Sequence, residues 1–270
     1  LEEMEKSGKV HLDLLHVDAH GNIDLHQLED LLSNNPRTFV SIMHGNNELG
    51  NLNDIEKIAE ICQKYNAIFH SDTVQTMGHY PHDLSKLKID FITGAGHKFH
   101  GPKGVGFAFV RKNSGLQPLF FGGEQEKGLR AGTEALHQIS GMAKALELSY
   151  ANLEKERNYI SELKQYLISQ FEIEFPDSII NGSQNDFYTI LNVILPFSQD
   201  KTSMLLFHLD MKGISISRGS ACQSGSVKPS HVLAEILSNE DLKKPSLRIS
   251  MSHYNTKEDI DLLMEALKSI

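Results

Sequence analysis

The sequence is poor in cysteine, has no apolar run of membrane-spanning length, and carries no excess of positive charge. Two cysteines in 270 residues do not make a disulfide framework and fit a reducing compartment. No apolar stretch approaches the roughly 20 residues that cross a bilayer. The opening LEEMEKSGKV is charged throughout and has no apolar region of the kind a signal peptide needs. A cytoplasmic protein without a membrane partner is expected. The formal net charge of −9 opposes direct nucleic-acid binding, because phosphate backbones need basic surfaces. One basic cluster, Lys98 to Lys112, is interrupted by glycines and reads as a small-anion site. No metal site is expected. The chain also has no initiator methionine. Leu1–Lys6 reads as a helix tail closed by Gly8, so residues before Leu1 are expected to be absent.

What is present is globular material, 40% hydrophobic and 23% charged, with core enough for one large or two modest domains. A strand is predicted from Val10, and others at Thr38–His44, Ala67–Asp72, Phe91–Gly94 and Val105–Val110. A helix over Asn53–Tyr65 has Ile55, Ile58, Ala59, Ile61 and Cys62 at helical spacing, with Asn53 and Glu56 as a capping-box start. A short helix is predicted after Asp72. This alternation implies a layered α/β domain with a mostly parallel sheet. Ligands of such sheets sit at the carboxyl ends of strands, where Asp72, His97 and Lys98 fall. Glu134 to about Phe171 reads as one linker helix. Strands at Glu172–Phe175, Thr189–Leu195, Ile214–Ser217 and Leu247–Met251 follow, with helices over Thr202–Lys212, Pro229–Leu237 and Thr256–Ile270. The expected division is a large α/β domain over 1–145 and a smaller C-terminal α+β domain over 146–270.

Several segments carry candidate chemistry. Ile89–Ala108 (IDFITGAGHKFHGPKGVGFA) puts Lys98 between a strand end and a turn rich in glycine. Glycines there let backbone amides approach a ligand, and amides with a cation make an anion nest. A surface lysine in a loop explains the same letters. Asp72 ends AIFHSD, where a carboxylate is often a helix cap. Asn46 and Asn47, in SIMHGNNELG, suit an Asx turn. Thr133, in GLRAGT, is placed to cap the helix from Glu134. Cys222 lies among small residues in SRGSACQSGS, whereas Cys62 falls on an apolar helix face and is expected in the core. Arg248, in PSLRISMSHYNT, offers a planar fork for a carboxylate. An ordinary surface ion pair is its plain alternative.

Taken together and in order, these motifs resemble those of cysteine desulfurases, within the class-V aminotransferase family, over Val10 to Ile270. The spacing I-D-F-I-x-x-A-G-H-K-x5-G-x-G-x-A is similar to the family's cofactor-lysine signature. HSDTVQ resembles H-x-D-x-x-Q, SIMHGNNELG resembles S-x-M-x-x-N-N-E-x-G, and GLRAGT resembles R-[SA]-G-T. SRGSACQSGS resembles the persulfide loop of the nitrogen-fixation and iron–sulfur-cluster branch, and SLRIS its S-[IL]-R-[IF]-S element.

The resemblance implies a pyridoxal-phosphate-dependent transferase of fold type I acting on L-cysteine, with alanine as product. Lys98 would hold the cofactor, Asp72 face its ring nitrogen, and Gln75 bond its phenolic oxygen. His97 would bond the phosphate or shuttle a proton. Asn47 would contact cofactor and substrate carboxylate, and Arg248 pair with that carboxylate. Thr133 would reach the cofactor phosphate of the other subunit of a homodimer. Cys222 would accept the sulfur as a persulfide and pass it to an acceptor, a cluster scaffold or a tRNA-thiolating enzyme. Asn46 and Glu48 are expected to be structural.

The sequence departs from the family at Ala95, where a phosphate-contacting serine is common, and Thr93 or the backbone is expected to compensate. No T-x-x-E-H element, the family's phosphate-binding Thr and ring-stacking His, precedes Lys98. The alternatives are a selenocysteine lyase or aminotransferase of the same class, and an inactive truncated fragment.

Overall fold

The computed structural model describes residues 1–35, 37–183, 186–202, 204–218 and 230–270. Its first half is built on a four-stranded sheet in the order β1 (Phe39–Ser41), β2 (Ile68–Asp72), β3 (Phe91–Ala95), β4 (Gly106–Val110). β1, β2 and β3 are parallel, and β4 runs antiparallel to β3. The short β3–β4 connection accounts for that reversal, since a parallel return needs a crossover of a dozen residues or more.

Helix α1 (Glu2–Lys6) opens the chain, and α2 (Leu25–Asn34) and α3 (Ile55–Lys64) cover the sheet. α3 buries Ile55, Ile58, Ala59, Ile61 and Cys62, the stripe its spacing predicts. Its cap is Asp54, which accepts from Lys57 N, and not Asn53. Asn53 instead donates from Nδ2 to Met43 O, which ties it to the chain leaving β1. Leu28, Phe69, Ile89, Ile92 and Phe99 join α3 in one core. Each fully buried side chain of this size contributes about 1.5–3 kcal/mol.

The second half has an antiparallel sheet, β5 (Ile179–Asn181), β6 (Ile190–Ile194), β7 (Ser246–Ser250). β6 is buried at every position, so alternation is absent from its sequence. α5 (Leu205–Met211), α6 (His231–Ile236) and α7 (Lys257–Lys268) complete it. α7 starts at a reciprocal capping box between Thr256 and Asp259. Helix α4 (Leu136–Glu174) runs past both halves. Met142, Ala145 and Leu146 lean on the first core, and Ile160, Leu163, Leu167 and Phe171 enter the second.

Several expectations are corrected. The segment from Val10 forms no strand; the one ladder contact nearby is a Val17–Ile23 bridge. Turns, not a helix, follow Asp72. Glu172–Phe175 is no strand, because α4 continues to Glu174 and β5 begins at Ile179. Ile214–Ser217 contributes a single bridge, Ser217 to Arg248. The glycines of the lysine segment also answer to the fold. A Cβ on Gly106 would stand 2.5 Å from Gly94 O, and one on Gly94 would meet the Phe107 ring at 2.5 Å. β3 and β4 therefore need both glycines. Gly106→Ala is expected to lower stability by about 2 kcal/mol, read as a fall in the urea midpoint. An unchanged midpoint would mean that the strands are not held at this separation.

Candidate active site

β2 and β3 end side by side, with Asp72 opposite Thr93 in the parallel register. Two residues past β3's Thr93 lies Ala95, and the chain then closes into a 3₁₀ turn, Gly96–Phe99, carrying His97 and Lys98. The turn ends at His100, whose left-handed φ of 64° redirects the chain. Gly96 and Phe99 are buried while His97 and Lys98 are exposed, so the turn offers its charged face to the carboxyl edge of the sheet. Asp72 Oδ1 accepts from Val74 N at 2.9 Å, which fixes the carboxylate over the turn that bears Gln75.

His70, on the same strand as Asp72, lies 2.9 Å from Ser41 Oγ through Nδ1 and 3.4 Å from Thr93 Oγ1 through Nε2. Its pKa is lowered, chiefly by burial and against the pull of Asp72. The Thr93 hydroxyl is thus engaged with His70, on the sheet face it shares with Ala95.

Lys98 and Gln75 line a cleft of about 180 Å³ between the two halves of the chain, faced by Glu156, Thr189 and Ser250 from the other side. His79 lines it too. Its Nδ1 lies 2.9 Å from Tyr188 Oη and its Nε2 3.2 Å from the Lys98 carbonyl. Sequence reasoning did not single out His79, since neither histidine of the turn segment MGHYPH belongs to a periodic pattern that would flag it.

The segment 46–51 joins the halves. Asn46 Oδ1 accepts from Glu48 N and Leu49 N, the Asx turn its sequence suggests. Glu48 is buried and its carboxylate accepts from Ser230 Oγ. Asn192 Nδ2 donates to Glu48 O, Phe187 N to Gly50 O, and Ser183 N to Asn51 Oδ1. Arg248 Nη1 donates to Asn47 O at 3.0 Å, so Arg248 and Asn47 meet at this junction. The sequence motif is therefore in large part a staple between the two halves of the chain, which single-residue reading does not reveal.

Thr133 is exposed and is not the cap of α4, whose N-cap is Ala135 with no side-chain bond; the helix begins two residues later than Glu134. Cys222 lies outside the described residues. Cys62 is buried, and burial pushes its thiol up to about 12, which leaves it inert.

An amine and an amide line one cleft, and a carboxylate ends the neighbouring strand of the parallel sheet, the edge at which such sheets take ligands. That donor set fits pyridoxal phosphate: an amine for its aldehyde, an anion for its ring nitrogen and a donor for its phenolic oxygen. Fold and site define a class-V aminotransferase, and the pattern of that family, Aminotransferase class-V, matches residues 1–263. Within that class the chain belongs to the pyridoxal-phosphate-dependent cysteine desulfurases. It is 38% identical over 267 residues to a cysteine desulfurase IscS of Dictyoglomus turgidum, covering 99% of this chain and 67% of that one. A putative cysteine desulfurase, IscS 1 of Bacillus subtilis, is 37% identical over 269 residues, 96% of this chain and 68% of its own. Among solved structures, a NifS-like protein from Rickettsia africae superposes with a TM-score of 0.88 at 31% identity, covering 99% of this chain and 71% of that one. A structure described as SspA in complex with cysteine superposes at 0.75 and 31% identity, over 94% of this chain and 70% of that one. The chain thus spans about two thirds of the length of these relatives. The relatives are named desulfurases, which favours that reading over a lyase or aminotransferase.

Proposed function

We propose that the chain takes sulfur from L-cysteine, releases L-alanine, and holds the sulfur as a persulfide on Cys222. The observation that carries this reading is the meeting of Lys98 and Gln75 in one interdomain cleft beside the Asp72–Thr93 register. When bound, pyridoxal phosphate supplies an electron sink for the substrate's α-carbon. Lys98 would hold the cofactor through Nζ and, once freed, would move the α-proton. Asp72 would keep the ring nitrogen protonated, Gln75 would donate to the phenolic oxygen, and His97 would bond the phosphate or relay a proton. Arg248 takes the substrate carboxylate as a bidentate fork, with Asn47 beside it. The Cys222 thiolate attacks the substrate sulfur. An S–S bond forms as the C–S bond breaks, and the carbon keeps the electron pair and gains a proton.

The domain boundary in this reading, between residues 145 and 146, falls within α4, toward the end of its contacts with the first core and ahead of those with the second, which begin at Ile160. A homodimer in a cytoplasmic setting is the proposed form, with Thr133 serving the neighbouring subunit's phosphate. Support comes from the loop before α4, where Leu119 and Phe121 are more than four-fifths exposed, an apolar surface of the kind subunits cover. A sulfur-acceptor protein, a cluster scaffold or tRNA-thiolating enzyme, completes the cycle. Among the described residues no helix is long and apolar enough to cross a membrane.

Cys222→Ala is expected to end sulfide and alanine production from L-cysteine under reducing turnover while cofactor capture stays within about twofold, because the thiol acts only after binding. Undiminished alanine would sink the role of Cys222.

A further inference from the structure

We propose that His79 is a positioning residue that fixes the backbone of Lys98 relative to the second half of the chain; this rests on the reading of Lys98 as the cofactor lysine. Lys98 occupies a single 3₁₀ turn, and carbonyls at the end of so short a turn need partners from outside it. Two amides, from His100 and Gly101, both go to Gly96 O. The Lys98 carbonyl is met by His79 Nε2 at 3.2 Å.

A carbonyl only accepts, so Nε2 carries the proton. Burial, the foremost influence on His79, lowers its pKa against the opposing pulls of the Lys98 carbonyl and Glu156, while His100 adds to the lowering. The ring is therefore neutral, and Nδ1 is an acceptor. Tyr188 Oη, 2.9 Å away, must then be its donor. Burial also raises the Tyr188 phenol well above its ordinary pKa, which keeps that proton in place. The relay has one direction: Tyr188 O–H to His79 Nδ1, His79 Nε2–H to Lys98 O.

Packing holds the ring in this pose. Phe187 stands edge-on to it at 5.3 Å and 80°, and Tyr188 at 5.9 Å and 70°. Phe187 is itself anchored: its carbonyl accepts from Lys164 Nζ, which also donates to Asp186. Tyr188 leads directly into β6, the strand paired with Arg248's strand β7. His79 thus links the lysine of one half to the framework that carries Arg248 in the other. A displaced lysine backbone would move Nζ against both cofactor and substrate, and small misplacements of reacting groups cost rate steeply.

The test uses the 270-residue chain, first without cofactor. ¹⁵N spectra of its histidines should show His79 as the neutral Nε2–H tautomer at neutral pH. His79→Leu should speed hydrogen exchange of the 96–101 amides about tenfold, the effect of removing the hydrogen bond that ties the Lys98 carbonyl to the second half of the chain, and weaken pyridoxal phosphate capture by a similar factor. His79→Gln, which restores an N–H, should recover most of both. Tyr188→Phe should leave exchange of the turn intermediate. Circular dichroism confirms that each variant is folded. Exchange and tautomer unchanged in His79→Leu would overturn the proposal, as would failure of the glutamine variant to rescue. If the unaltered chain captures no cofactor at Lys98, the functional reading fails, and the cofactor-free exchange still decides the role of His79.

Discussion

Lys98→Ala is expected to abolish covalent capture of pyridoxal phosphate. Incubated with the cofactor and reduced with borohydride, the unaltered chain should gain one cofactor mass, located by peptide mapping at Lys98, and the alanine variant none. The expectation rests on position. Other lysines are close in sequence, Lys103 among them, but Lys98 is the one that lines the interdomain cleft with Gln75. It follows β3 at the strand ends where Asp72 is held by the Val74 amide. Asp72→Asn should retain the adduct but bind cofactor roughly ten- to a hundredfold more weakly, the range for removing a charged hydrogen-bond partner. A lysine other than Lys98 carrying the adduct, or Lys98→Ala capturing the cofactor undiminished, would remove the foundation of the proposed function.

The first half of the chain was the more legible. α3 and strands β2 and β3 follow from apolar spacing, and the carboxyl-edge placement of Asp72 and Lys98 follows from them. What escaped was set by partners distant in sequence. Val10 onward looks like a strand, but among the described residues it makes no ladder beyond the Val17–Ile23 bridge. The glycines of the lysine segment suggest an anion nest, yet Gly94 and Gly106 are explained by the spacing of two strands. Glu172–Phe175 has strand composition, but the register of α4 against the second core carries the helix through it. For the candidate site, motif resemblance named Lys98, Asp72 and Gln75. It gave no sign of His79, whose partners lie 19 and 109 residues away. Such a role depends on the two halves meeting, and no local pattern encodes that.

The same meeting of distant histidines makes acid the second large effect expected. Behind the turn after β2, His44 Nδ1 lies 3.0 Å from His82 Nε2 and 2.9 Å from Thr76 Oγ1. Burial first, and then the neighbouring His82, lower the His44 pKa to about 4, with Asp54 pulling the other way. His82 is lowered by burial too. In the unfolded chain each imidazole titrates near 6.5, at about 1.4 kcal/mol per pH unit of difference. Below that pH the unfolded state gains protons that the folded state refuses, so stability falls as pH drops from about 6.5 toward 4. For His44 alone the loss approaches about 3 kcal/mol at the lower end. Carboxylates contribute later, because the lowered groups such as Asp18 and Asp83 are exposed and titrate below their ordinary values. The measurement is a series of urea midpoints from pH 7.5 to 4.5 on the unaltered chain and on His44→Leu. The leucine variant has no imidazole to protonate there, so its stability should decline less steeply by close to one proton's worth. Parallel declines in the two chains would show that His44 is not held neutral by the fold.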